Sequence, residues 1–179
     1  VITVPKTLAE FTELPAQNRA TWTAAQLIEM AGAHRVAQSV AGHARFWIVF
    51  VNGHFHDGTS AKPGVVGVSI QDTTVLAVFK DVVKGTGTLA VPKYVEQSTL
   101  VHEMGHALGL VDVGLPMKEA HKDADHGPHC DDPDCVMFWM NEGASDMVSF
   151  VQRLLNPAPG TIPSPVMFDA KCLRDAREY

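Results

Sequence analysis

Two histidines four residues apart, with a glutamate between them, constrain this chain more than any other feature. They lie in VEQSTLVHEMGHALGL (95–110), where Val95, Leu100, Val101, Met104, Ala107 and Leu108 recur at helical spacing. On a helix, positions i and i+4 share a face, so His102 and His106 can both reach one metal ion. Glu103 then stands beside the open coordination position, where it can take a proton from bound water. A buried face carrying two unpaired imidazoles would be costly without a metal or other partners. The chain has nine histidines, and five of them (His102, His106, His121, His126 and His129) crowd into residues 102–129. Imidazole is the commonest nitrogen ligand of transition metals, so this crowding points to a metal site.

Composition narrows the function classes. At 179 residues and 46% apolar content the chain suits a single domain with a real core, and 19% charged residues is too few for a disordered chain. A net charge of −6 argues against binding a phosphate backbone, which needs a basic face. No apolar run reaches the ~20 residues of a membrane span. The opening VITVPKTLAE has neither a basic n-region nor an apolar h-region, so no signal segment is read in it.

Along the chain the pattern is α+β. Residues 22–40 read as an amphipathic helix with Thr21 or Thr23 as N-cap, and ARFWIVFV (44–51) as a central strand. NGHFHDGTSAKPG (52–64) reads as a loop, followed by strands at 65–71 and 75–83 joined through Asp72-Thr73-Thr74. KGTGT (84–88) reads as flexible, and the helix carrying the histidine pair ends at Gly109. Residues 111–134 are acidic, hold Pro and His, and lack any period; a long loop of this kind inside a domain is usually functional. A helix over 145–156, a rigid connector over 157–165 and a short terminal helix over 168–179 complete the reading. One domain, 1–179, is expected, with an N-terminal lobe 1–110 and a C-terminal lobe 111–179.

HExxH supplies two ligands, and a catalytic zinc ion usually takes three from the protein. The run HEMGHALGLVD matches HExxHxxGxxD, which resembles the metzincin clan of zinc metallopeptidases and on that register implies Asp112 as third ligand. A second register fits more residues. The string His-Cys-Asp-Asp-Pro-Asp-Cys-Val-Met (129–137) resembles the archaemetzincin pattern HCxxxxCVM, with about twenty residues inserted before it. That resemblance implies His129 as third ligand and Met137 as the Met-turn, an apolar floor beneath the metal, with Met140 the fallback. His121 and His126 stay open as further alternatives for the third ligand. Archaemetzincins carry a later CxxC that completes a four-cysteine zinc site. Only Cys172 follows here, which excludes a four-cysteine site, so Cys130 and Cys135 are expected to form a disulfide or to remain free. Phe138 and Trp139 stand where some metzincins have a metal-reaching tyrosine. Two weaker features remain: His54 and His56 flank Phe55, and Asp123, Asp125, Asp131, Asp132 and Asp134 form an acidic stretch read as solvated loop.

The resemblance implies a metzincin-like fold: a twisted mixed sheet with a backing helix and the HExxH helix, then a small, mainly helical or irregular C-terminal lobe. It implies a zinc metalloendopeptidase with one catalytic Zn²⁺ held by His102, His106 and His129, and Glu103 as general base and acid. The substrate would be a peptide or protein paired to an exposed strand edge within 75–83, and the chain a monomer, secreted or periplasmic. The alternatives are a non-catalytic zinc-stabilised binding module and a latent peptidase whose metal site is closed.

Overall fold

The structure, a computed structural model, describes residues 3–88, 90–156 and 167–178. It is a mixed α+β fold with two small mixed sheets and, among the described residues, five α-helices. Strand β1 (Thr21–Trp22) leads into helix α1 (Ala24–His34). Thr23 caps α1 through a reciprocal box: its side chain accepts from the Gln26 N–H, and the Gln26 side chain accepts from the Thr23 N–H. Leu27, Met30 and Ala31 are the buried face of α1. The helix stops at His34, short of the expected 40, with Arg35 already extended. Arg35 then bonds the carbonyl of Arg45 and the hydroxyl of Thr74, which draws the chain back toward the sheet.

Strands β2 (Trp47–Val51), β5 (Gly67–Ser69) and β6 (Val75–Phe79) make the sheet beneath the site, in the order β2-β6-β5. β2 runs parallel to β6 from Trp47↔Val75 to Val51↔Phe79, and β5 runs antiparallel to β6. All five residues of β6 are buried, which explains its unbroken apolar sequence. Two expectations fail here. The strand does not continue to residue 83, because helix α2 (Lys80–Gly85) begins directly after Phe79. Nor does β6 offer a peptide an edge, since neighbours flank it on both sides; the edge strands are β2 and β5, and β5 is the one that lines the cleft. The segment 52–64 is not all loop either. It contains β3 (His54–His56) and β4 (Ala61–Lys62), which join β1 in the second sheet, order β1-β3-β4.

Helix α3 (Val91–Ala107) carries the histidine pair and packs on β5 and β6. Its end is a Schellman turn. Gly109, at φ 89°, donates to the His106 carbonyl, and Leu110 donates to the Gly105 carbonyl at 3.0 Å. The left-handed conformation continues at Val111 (φ 55°) and Asp112 (φ 66°) and turns the chain away from the helix. Helix α4 (Ala144–Leu155) buries Met147, Phe150 and Val151 and packs on α3. Helix α5 (Ala170–Arg177) is capped by the Asp169 side chain, which accepts from the Cys172 N–H. The expected connector 157–165 lies outside the described residues. One apolar cluster includes Leu27, Val78 and Val95 together with Val136, Met147 and Cys172.

Gly105 shows why the motif reads HEMGH in this chain. A Cβ there would overlap the Met137 sulfur and come within 3.1 Å of its methyl group, and Met137 is wholly buried. Gly105→Ala should therefore destabilise the protein by ~1–3 kcal/mol through overpacking. Met137→Ala should cost ~2–5 kcal/mol through the cavity it leaves. Because the added methyl would occupy part of that cavity, urea midpoints should show the double variant less destabilised than the sum of the two.

Candidate metal centre

Helix α3 presents His102 and His106 on one face, and the loop after it brings His129 against them. The His102 and His129 rings stack with centroids 5.4 Å apart, and His106 meets His129 edge-on at 4.9 Å. A hydrogen bond at Nδ1 fixes the orientation of two of the three rings. His102 Nδ1 donates to the Val136 carbonyl at 2.7 Å, and His129 Nδ1 donates to the His126 carbonyl at 2.6 Å. Both rings thus keep Nε2 free as a ligand atom. His106 Nε2 lies 3.1 Å from His102 Nε2. His129 Nε2 lies 3.1 Å from Glu142 Oε1 yet has no hydrogen-bond partner. His102, His106, His129 and Glu142 each offer one atom, all within 4.8 Å of one another, and so could hold a metal ion.

The spacing can be tested against a particular ion. Tetrahedral zinc, with Zn–N near 2.0–2.1 Å, sets neighbouring donor atoms about 3.3 Å apart. The two separations of 3.1 Å are close to that. Protonation favours binding at two of the three rings, whereas at His129 burial is outweighed by the Glu142 carboxylate, which raises the pKa. Burial depresses His102 to about 4 and His106 to about 2, with a contribution from neighbouring imidazoles, so both are neutral at pH 7. The facing His129 holds the Glu142 carboxyl below its ordinary value, in its anionic form.

Glu103 is buried beside this group. Its burial, and then the nearby Glu142, push its pKa up to about 8, against an N–H bond from Ser69 that favours the anion. A carboxyl poised near neutrality is suited to taking and returning a proton. β5 comes close enough to hold it because residue 67 is glycine: a Cβ there would lie 2.6 Å from Thr99 Cγ2 and 3.1 Å from Glu103 Cγ. A cleft of about 910 Å³ opens along β5 and is lined by Gly67–Ile70, Glu103, His106, His129 and Glu142.

The other sequence candidates fall elsewhere. Asp112 borders the cleft but is exposed, and it pairs with Lys122 at 3.2 Å after the left-handed bend, outside the metal group. His126 stacks flat on Trp139, centroids 3.8 Å apart, and bonds Asp123; its carbonyl, not its ring, serves the site by holding His129. Met137 lies in the turn closed by Phe138 N–H to the Cys135 carbonyl, under Gly105. Met140 is partly exposed. His54 and His56 lie in β3 and belong to no metal group among the described residues. The aspartates of 123–134 bond within their loop or to Arg153 and Lys171. Sequence reasoning missed Glu142. Nothing in NEG at the head of a helix marks it, because it reaches the site only through the fold.

Cys130 and Cys135 form no disulfide. All three cysteines are free and buried, and they converge with His121. His121, Cys130, Asp169 and Cys172 form a second group that could hold a metal ion. His121 Nδ1 lies 3.4 Å from Cys130 Sγ and 3.8 Å from Cys172 Sγ, while Cys135 Sγ is 3.7 Å from Cys172 Sγ. Behind the ring, His121 Nε2 bonds Asp175 at 2.8 Å. Hydrogen bonds from Cys135 and Cys172 hold the Cys130 thiol far below its ordinary value, toward thiolate. His121 therefore belongs to this group rather than to that of His102.

Compared with family models, curated proteins and solved structures, the chain matches none. None of its described helices is long and apolar enough to cross a membrane. His129→Ala should raise the zinc dissociation constant of the histidine group by more than about a hundredfold, measured by chelator competition, whereas Asp112→Ala should leave it unchanged.

Proposed function

We propose that this protein is a zinc-dependent metallopeptidase of metzincin type. The observation that carries the reading is the meeting of three imidazole Nε2 atoms, from His102, His106 and His129, at the wall of a cleft that also holds Glu103. A zinc ion bound there would supply a Lewis acid for a peptide carbonyl and would make a bound water acidic. Glu103 takes the proton of the attacking water and delivers it to the leaving amine. Its burial keeps the proton from bulk solvent between these steps. The Val136 and His126 carbonyls hold His102 and His129 in their working tautomers. An extended peptide lies along the outer edge of β5, which lines the cleft, rather than along β6.

With the neighbouring Cys135 taken in place of Asp169, the second group fits a closed structural zinc site, in which three sulfurs and one nitrogen complete a tetrahedron. Zn–S bonds near 2.3 Å place sulfurs about 3.8 Å apart, against 3.7 Å for Cys135 and Cys172. On this reading Cys130, Cys135, Cys172 and His121 are the ligands, Asp175 orients His121, and the chain takes two zinc ions rather than one.

Two measurements test this. Glu103→Gln should keep both zinc ions and lose peptide hydrolysis by ~10²-fold or more, and wild-type turnover in that variant would refute the mechanism. Atomic emission should count two zinc ions per intact chain and one in Cys172→Ser; a single zinc in both would remove the structural ion from the reading.

A further inference from the structure

Glu142 has no part in the reaction just described, yet it reaches the metal group. It ends the 3₁₀ turn Trp139–Glu142, and its backbone is fixed to the strand side of the cleft. The Glu142 carbonyl accepts from Val66, Gly143 bridges to Val65, and Ala144 donates to the Gly64 carbonyl at 2.9 Å. The side chain is free by comparison, at 57% exposure. Its carboxylate comes in from the cleft, the direction from which water or a substrate carbonyl would arrive. The 3.1 Å from Oε1 to His129 Nε2 is an ion-pair contact. It also matches the separation of two donors on one tetrahedral ion. Three imidazoles and this carboxylate make four ligands, and a catalytic zinc ion needs one position open.

We infer that Glu142 is a displaceable fourth ligand, which closes the metal site at rest and must swing out on its exposed side chain before a substrate carbonyl can bind. The inference rests on the zinc reading above and adds a resting state to it. A zinc-binding ligand therefore competes with Glu142 for one position. If the carboxylate occupies that position nine-tenths of the time, the competitor's apparent affinity is lowered about tenfold. Glu142→Ala should remove that handicap. Glu142→Gln, of the same size but a far weaker ligand, should remove most of it.

The test is calorimetric titration of the zinc-loaded full chain with acetohydroxamate, comparing wild type, Glu142→Ala and Glu142→Gln. Both variants should bind about tenfold tighter than wild type. Added acetate should fill the vacated position in Glu142→Ala and weaken its hydroxamate binding, with little effect on wild type. Equal affinities in all three proteins, with no acetate effect in Glu142→Ala, would overturn the inference. Loss of the histidine-group zinc in both variants would overturn it too, since Glu142 would then be a permanent ligand. If hydroxamate binding tightens as expected but no protein cleaves a peptide library, the gate stands and the peptidase reading falls.

Discussion

The bond from His102 Nδ1 to the Val136 carbonyl joins the two parts of the molecule that have to meet for a metal centre to exist. On one side is α3, laid across β5 and β6; on the other is the turn of residues 135–138, which has no regular structure of its own. The bond selects the imidazole tautomer, aims Nε2 outward, and docks the turn so that Met137 fills the space left by Gly105. The same carbonyl accepts from the Asn141 side chain at 3.0 Å, which ties in the approach to Glu142. Buried at such a point, a hydrogen bond matters less for its net contribution of about 1 kcal/mol than for the penalty of leaving either group unpaired.

Electrostatics and packing reinforce one another around it. The His102 and His106 imidazoles are dry enough to stay neutral, and Glu103 dry enough to hold a proton into the neutral range. The second effect comes from packing against β5, which depends on a glycine at position 67. A dication held by the histidine group would reverse the preference of Glu103 and favour the carboxylate.

Sequence and structure agree best where the information is local. The i, i+4 histidine pair, the Thr23 cap, the buried face of α4 and the stop at Gly109 all follow from spacing and backbone preference within a few residues. Strand limits were less legible: 75–79 is apolar throughout and Val82 and Val83 resume the run after Lys80-Asp81, so periodicity alone cannot tell a buried strand running into a short helix from one long strand. The long-range partners were hardest. His129 was reached by resemblance of a nine-residue string, while Glu142 and the meeting of His121 with three thiols depend on loops and a terminal helix whose placement no local pattern encodes. Of the two expectations for Cys130 and Cys135, a disulfide or free thiols, the structure shows free thiols, and the fold adds Cys172 and His121 to them.

His129 and Cys130 are neighbours in sequence but serve different groups. The chain there is extended, with Cys130 bridged to Lys122 on one side and Phe138 on the other, and consecutive side chains of an extended chain point to opposite faces. One residue inserted between them would set both side chains on the same face, so that the ring and the thiol could no longer each reach its own group. Among relatives of this chain, length should vary more in the exposed part of the stretch between Gly109 and His121 than at the junction of His129 and Cys130.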